Sequence, residues 1–353
     1  MPETLLGVFR DDIQSLHGYA VQPSAGYVKL DVMENPFRLP ATLQAELGQR
    51  LGAVALNRYP AQRIDELRAA LARHAKLPAG CALMLGNGSD ELISLLTQAI
   101  ARPGATVLAP LPSFVMYQLS AKLLGPRFVG VDLKPDFQLE RQAMLAAIER
   151  EKPALLWLAY PNNPTGTRWN DADIDALVDA MDGHGLVVMD EAYQPFASRD
   201  SLQRLARPHV LIMRTMSKFG LAGVRIGFLC GAARLIQEVE KLRPPFNVSV
   251  LNCEAALFAL EHEAVYRDQA AQIRAQRERL FRAMQQLPGV NPFPSEANMV
   301  LARFPDAAEQ FARLKSRGIL VKNVSAMHPL LVNCLRLTVG TPEETTALIQ
   351  ALQ

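Results

Sequence analysis

A lysine follows the apolar run Val210-Leu211-Ile212-Met213, in Thr215-Met216-Ser217-Lys218, and precedes Gly220-Leu221-Ala222-Gly223-Val224-Arg225. At the C-terminal end of a strand, Lys218 points into the crevice where α/β sheets bind ligands. There its amine can bond covalently to a carbonyl and, once released, move protons. A solvated lysine in a turn is the plain alternative. A serine-lysine pair also suits a serine hydrolase or amidase, but the sequence offers no partner constellation for either. The glycines allow close backbone approach, and Arg225 supplies a planar fork suited to phosphate.

Three more strings can do complementary chemistry. Met189-Asp190-Glu191-Ala192-Tyr193 closes the run Leu186-Val187-Val188, so Asp190 offers a carboxylate and Tyr193 a phenol to the same side if a turn follows. A metal-ligand pair or a helix cap is the alternative there. Tyr160-Pro161-Asn162-Asn163-Pro164-Thr165-Gly166 fixes a rigid turn that can present Asn163 as a donor, or is merely a turn. Gly86-Asn87-Gly88-Ser89-Asp90-Glu91 opens a helix, where backbone N–H groups bind phosphate readily; an ordinary cap by Ser89 is the other reading. It lacks the third glycine of a dinucleotide fingerprint and is no P-loop. Phe114 lies just past a strand and offers a stacking face, or is buried core.

Taken together, these candidates match the separate needs of one cofactor. Pyridoxal phosphate requires a covalent amine, a carboxylate at its pyridine nitrogen, donors to its ring oxygen, a phosphate cradle and a ring-stacking face. Lys218, Asp190, Asn163 with Tyr193, the helix start at Gly88-Ser89-Asp90 with Arg225, and Phe114 supply them in that order.

The elements that must hold these residues alternate along the chain. Helical spacing covers 64–76, 90–101 and 171–181. Short apolar runs at 106–109, 128–131, 154–159, 186–189, 210–213 and 226–230 suit strands buried on both faces. This is an α/β pattern with a mostly parallel sheet flanked by helices. After Pro244-Pro245, residues 248–287 read as one long helical stretch. Strands at 299–304 and 335–339 and helices at 307–317 and 342–352 follow. The expected division is a large domain over 41–247 and a smaller α+β domain from 1–40 and 248–353.

Bulk properties remove other classes. The 353 residues carry a formal net charge of +2, with no basic cluster of the kind a nucleic-acid surface needs. The N-terminus lacks a secretory pattern, and no run of about 18 apolar residues marks a membrane span. Cys81, Cys230, Cys253 and Cys334 lie far apart without a C-x-x-C pair, so reduced buried thiols and no metal cluster are expected. A cytoplasmic enzyme fits this composition.

The chain resembles the fold-type I, class I/II aminotransferases from Tyr19 to its C-terminal helix, and within them the histidinol-phosphate aminotransferases. The resemblance is carried by Leu56-Asn57-Arg58-Tyr59-Pro60, Gly88-Ser89-Asp90-Glu91, Pro161-Asn162-Asn163-Pro164-Thr165-Gly166, Asp190-Glu191-Ala192-Tyr193, Ser217-Lys218 with Gly223-Val224-Arg225, and Cys334-Leu335-Arg336-Leu337-Thr338-Val339-Gly340-Thr341. It implies a homodimer with shared active sites, in which Tyr59 reaches the cofactor phosphate of the partner subunit. It further implies that Ser89, Asp90, Ser217 and Arg225 hold the phosphate, while Asn163 and Tyr193 contact the ring oxygen. Arg336 would bind the anionic end of the substrate, and Tyr19 would close over it. Asn35, Tyr59 and Lys322 complete the substrate side.

Three positions depart from the common pattern. The loop from Lys218 to Arg225 is one residue shorter than in many relatives. Lys322 stands where several have arginine and offers charge without a fork. Phe114 replaces a tyrosine and keeps only the stacking face. The implied activity is transamination between histidinol phosphate and 2-oxoglutarate. Aromatic or broad-specificity transamination, threonine-phosphate decarboxylation and a regulator's cofactor-binding domain are the alternatives. A regulator would need a DNA-binding module for which the chain before residue 19 leaves no room.

Overall fold

The computed structural model describes residues 3–16 and 22–353. Its strands are β1 (Val28–Lys29), β2 (Cys81–Gly86), β3 (Thr106–Leu111), β4 (Arg127–Asp132), β5 (Leu155–Ala159), β6 (Leu186–Asp190), β7 (Val210–Thr215), β8 (Gly227–Ala232), β9 (Asn291–Pro292), β10 (Met299–Arg303), β11 (Ile319–Leu320), β12 (Lys322–Asn323) and β13 (Cys334–Thr338). Its α-helices are α1 (Asp11–Gln14), α2 (Ala41–Gly52), α3 (Ala61–His74), α4 (Ser89–Ala99), α5 (Met116–Leu124), α6 (Arg141–Glu151), α7 (Asp171–Ala180), α8 (Ala233–Glu240), α9 (Val250–Glu261), α10 (Glu263–Gln285), α11 (Ala307–Ser316) and α12 (Pro342–Leu352).

Seven strands form the main sheet in the order β2-β8-β7-β6-β5-β3-β4. β8 runs antiparallel to both of its neighbours, and the other pairings are parallel. The central strands are apolar on both faces because helices cover both. On one side Leu156, Leu158, Val187 and Ile212 pack with Ile174 and Leu177 of α7 and Met144 of α6. On the other, Leu155, Trp157, Val188 and Met213 meet Leu92 and Leu96 of α4 and Tyr117 of α5. The mostly parallel α/β sheet expected from the sequence is present.

A second, antiparallel sheet has the order β12-β13-β10-β9. Its apolar face joins Leu280 and Met284 of α10, Leu314 of α11 and Leu348 of α12. Thr341 and Glu344 exchange hydrogen bonds as a capping box and fix the start of α12.

Besides several short strands and helices that the sequence expectation does not mark, two differences stand out. The strand β2 was not anticipated; it is a short run between turn residues whose pairing partner lies far along the chain. The expected helix over 248–287 is two helices, α9 and α10, divided at His262, whose backbone (φ −108°, ψ 30°) leaves the helical region. Helix α9 is buried in a continuous run from Cys253 to Ala259, whereas α10 buries Tyr266, Ala270, Ile273, Leu280 and Met284 along one face, so the apolar content of the stretch does not mark the joint.

Candidate active site

Adjacent parallel strands end side by side, and their carboxyl ends carry the site. In the register, Ala159 of β5 lies opposite Asp190 of β6, and Asp190 lies opposite Met213 of β7. The turn bearing Asn163, the Asp190 carboxylate and the Lys218 turn therefore converge at one edge of the sheet. A cavity of about 340 Å³ opens there, lined by Ser89, Asp90, Phe114, Asn163, Asp190, Tyr193, Ser217, Lys218 and Arg225 among others.

Lys218 sits in a wide helical turn, Ser217–Leu221, that follows β7. Its Nζ donates to the Val32 carbonyl at 3.0 Å and lies 5.9 Å from the centre of the Tyr193 ring. Burial, and after it the positive charge of Arg336, pull its pKa down to about 8. A far larger share of this amine is neutral near pH 7 than for an ordinary lysine, as a nucleophile or base requires.

Asp190 is only 5% exposed. The Tyr117 hydroxyl donates to Oδ2 at 2.5 Å and the Ala192 N–H to Oδ1 at 3.0 Å. Burial pushes its pKa up to about 6 while those two donors pull against it. Tyr117 stacks on Trp157 at 4.7 Å, and Phe114 meets the Tyr117 ring edge-on at 5.8 Å. Glu191, one residue on, faces away from the cavity. Arg214 Nε donates to it at 2.8 Å and the Ser201 N–H at 2.5 Å, forming a buried brace beneath the site.

Asn162 and Asn163 divide their tasks. Asn162 fixes the turn by accepting from Ser113 at 2.8 Å and donating to the Pro112 carbonyl and Thr165. The Asn163 side-chain oxygen accepts from Arg336 Nη1 at 2.8 Å. Neither the Asn163 amide nitrogen nor the Tyr193 hydroxyl bonds to any described residue, although the two residues are 7% and 4% exposed. Both residues line the cavity, and these two polar groups suit a ligand oxygen.

The opposite end of the cavity is built for an anion. Gly88 (φ 82°) precedes α4, whose first turn has no side-chain cap. A Cβ at Gly88 would lie 2.5 Å from an Arg225 guanidinium nitrogen, and one at Gly227 would lie 2.7 Å from the Ser89 nitrogen. Only glycine permits so tight an approach of the helix start, β8 and Arg225. Arg225 itself adopts a left-handed backbone (φ 54°), a sparsely populated conformation for a residue with a Cβ. Its bonds to its neighbours are long: 3.4 Å to Ser217 Oγ and 3.7 Å to Asp90. Uncapped N–H groups, Ser217 and a loosely held guanidinium fit a phosphate.

The remaining candidates lie elsewhere. Arg336 in β13 stands behind Asn163, with Nη2 donating to the Asp31 carbonyl at 2.8 Å. Lys322 of β12 pairs with it across the strands and does not line the cavity. Asn35 does not line it either; its amide nitrogen donates to Gln269 at 2.9 Å and its oxygen accepts from the Phe37 N–H. Tyr59 is 77% exposed and stacks on Phe246 at 4.4 Å, away from its own chain's cavity. Tyr19 falls outside the described residues. The sequence reading missed Tyr117, Val32 and Glu34. Tyr117 lies in the first turn of α5, three residues past Phe114 in the preceding loop; the other two sit in irregular chain without a pattern.

Among the described residues, no group of three or more His, Cys, Asp or Glu is placed to hold a metal ion, and no helix is long and apolar enough to cross a membrane. Residues 25–352 match the pattern of the family described as aminotransferase class I and II. A histidinol-phosphate aminotransferase of Methylibium petroleiphilum is 67% identical over 346 residues, covering 98% of this chain and 93% of that one. Another from Polaromonas naphthalenivorans is 60% identical over 348 residues, covering 98% and 95%. The crystal structure of histidinol-phosphate aminotransferase from Sinorhizobium meliloti in complex with pyridoxal-5'-phosphate superposes with a TM-score of 0.85 at 29% identity, covering 98% and 96%. Fold, cavity and likeness over nearly the whole length agree: the chain belongs to the class I and II aminotransferase family.

Proposed function

We propose that this protein is a pyridoxal-phosphate-dependent aminotransferase of histidine biosynthesis, exchanging an amino group between L-histidinol phosphate and 2-oxoglutarate to give imidazole-acetol phosphate and L-glutamate. The substrates follow from the relatives at 67% and 60% identity. The observation that carries the chemistry is the sharing of one cavity by Lys218 and Asp190 at adjacent strand ends.

The donor set fits the cofactor on chemical grounds. Lys218 would hold it covalently, with Asp190 at the ring nitrogen and Tyr193 and Asn163 at the ring oxygen. Phe114 would cover a ring face, while Ser89, Asp90, Ser217 and Arg225 surround the phosphate, with Gly88 clearing its path. When bound, pyridoxal phosphate supplies a carbonyl that takes up the amine and a conjugated ring that accepts the electron pair released at the substrate Cα.

The chain's own groups do the rest. Lys218 Nζ, once displaced, removes the proton from the substrate Cα, a task suited to an amine whose pKa is near 8. With the cofactor bound, the Asp190 carboxylate would keep its ring nitrogen protonated by charge and hydrogen bond. Arg336 binds the anionic end of either substrate, with its guanidinium oriented by Asn163 and the Asp31 carbonyl. Tyr59, exposed and seated beside Phe246, suits a contact with the cofactor phosphate of a partner subunit, which makes the working unit a homodimer in the cytoplasm. We assign 41–247 to the large domain and 1–40 with 248–353 to the small one.

The test is to mix the yellow holoenzyme separately with histidinol phosphate, glutamate, phenylalanine and threonine phosphate while following cofactor absorbance. Rapid bleaching by histidinol phosphate and glutamate is expected. Bleaching mainly by phenylalanine, or carbon dioxide release from threonine phosphate, would overturn the substrate assignment.

A further inference from the structure

Three carboxylates line the cavity: Asp90, Asp190 and Glu34. Asp190 is held by Tyr117 and Ala192, and Asp90 stands at the phosphate end beside Arg225. Glu34 belongs to neither group, and nothing in the mechanism above uses it.

Its backbone is held from several directions. Met33 (φ 56°) kinks the chain just before it, and the Met33 N–H donates to Thr338 Oγ1 at 3.1 Å. Asn298 donates to the Met33 carbonyl at 3.0 Å. Asn35 ties the next residue to Gln269. The segment also meets the reacting groups in order: Arg336 donates to the Asp31 carbonyl and Lys218 Nζ to the Val32 carbonyl, and Glu34 comes next into the cavity.

We propose that Glu34 is a specificity-determining residue that recognises the imidazole of the phosphorylated amine; this rests on the substrate reading above. An imidazole always presents at least one N–H donor and gains a positive charge below roughly pH 6.5. A carboxylate answers both with a charge-assisted hydrogen bond. With the anionic end of the substrate on Arg336 and its amine near Lys218, the ring is left for the next group along the segment. The same enzyme must also admit glutamate, whose distal carboxylate a lone Glu34 would repel. Lys29 eases that conflict from outside the cavity: its ammonium lies 2.7 Å from Glu34 Oε2 and offsets the charge that would repel a carboxylate, while Glu34 keeps an acceptor for imidazole. The Glu34 side chain is 41% exposed, so its carboxylate is open to a ligand as well as to Lys29.

The competing role for Glu34 is purely electrostatic, because its charge also favours protonated Lys218. That role would touch every amino donor alike, so the experiment compares two donors in single turnovers of the holoenzyme. In Glu34→Gln, the histidinol phosphate concentration giving half-maximal bleaching rate is expected to rise about tenfold or more, as for a lost charged hydrogen bond. The value for glutamate should stay within about twofold, and Glu34→Asp, which keeps the charge, should recover part of the loss. An unchanged response to histidinol phosphate, or equal weakening toward both donors, would overturn the assignment. Failure of the unaltered holoenzyme to bleach with histidinol phosphate while it bleaches with glutamate would instead sink the substrate reading, and this inference with it.

Discussion

The two ends of the cavity are constructed differently. At the ring end, Asp190, Tyr193 and Asn163 are buried, and Asp190 is held by hydrogen bonds from Tyr117 and Ala192. At the phosphate end, Asp90 and Arg225 have side chains 47% and 45% exposed and meet each other only at 3.7 Å. Around Asp190 the protein supplies its own partners, whereas the Arg225 end is loosely tied, as suits an end proposed to be completed by a phosphate. Electrostatic work done in a buried, prearranged setting costs no rearrangement during the reaction. A site that must bind and hold a dianion gains more from free donors than from internal bonds. Ring-end variants should therefore damage turnover, and phosphate-end variants should damage cofactor retention.

The largest effect is expected from Lys218→Ala, which removes the group proposed above as both covalent anchor and base. Turnover should vanish in steady-state assays while far-ultraviolet circular dichroism is unchanged; undiminished transamination would refute the assignment. Asp190→Asn comes next, with a fall of at least about a hundredfold in kcat at saturating cofactor. Its stability effect has the opposite sign. Because burial raises the Asp190 pKa to about 6, the folded cofactor-free chain binds that proton more tightly than the unfolded one. The stability cost of ionising Asp190 therefore appears as pH climbs above the unfolded value and is complete above about pH 6, reaching up to about 3 kcal/mol. The cofactor-free Asp190→Asn protein should melt no lower than the parent at pH 8.

Arg225→Ala tests the other end. The Kd for the cofactor should rise roughly 10- to 100-fold with little change in melting temperature of the cofactor-free protein. A large loss of stability there would erase the distinction between the ends. Tyr117→Phe should cost about 1–3 kcal/mol of stability by leaving a buried carboxylate oxygen without its donor. It should also move the carboxyl titration of Asp190 to higher pH, readable by carbon-13 NMR of the cofactor-free protein. The smallest effect is a shift in pH. Covalent capture of cofactor by the cofactor-free enzyme should accelerate with pH around a midpoint near 8, because only neutral Lys218 attacks a carbonyl. Arg336→Gln should raise that midpoint by relieving a repelling charge.

Much of this site was legible because its chemistry sits at strand ends. An apolar run followed by Asp190, Lys218 or the Asn163 turn exposes each functional residue at a place the fold fixes locally. The fold class was legible for the same reason, since buried parallel strands appear as uninterrupted apolar runs. What escaped depended on distant partners. The strand β2 is defined by pairing with β8, far along the chain. Tyr117 resembles any aromatic residue on an amphipathic helix until its hydroxyl is seen to meet Asp190. Glu34 belongs to irregular chain positioned by Asn298 and Thr338, and no periodicity reports such contacts. Asn35 was expected on the substrate side, yet its amide is occupied by Gln269 and Phe37.

The antiparallel strand β8 also sets an order for biosynthesis. It is the element inserted between β2 and β7, and its first residue, Gly227, presses against Gly88 and Ser89 at the start of α4. A nascent chain that has just emerged past Lys218 carries the proposed covalent anchor and the Asp190 carboxylate, but not the strand that docks the start of α4 beside them. Pairings between sequence-distant strands form slowly, because the intervening chain must first be ordered. The cofactor therefore cannot be held in its finished setting until translation has passed β8, and yellow colour on a ribosome-bound chain would date the closure of the sheet.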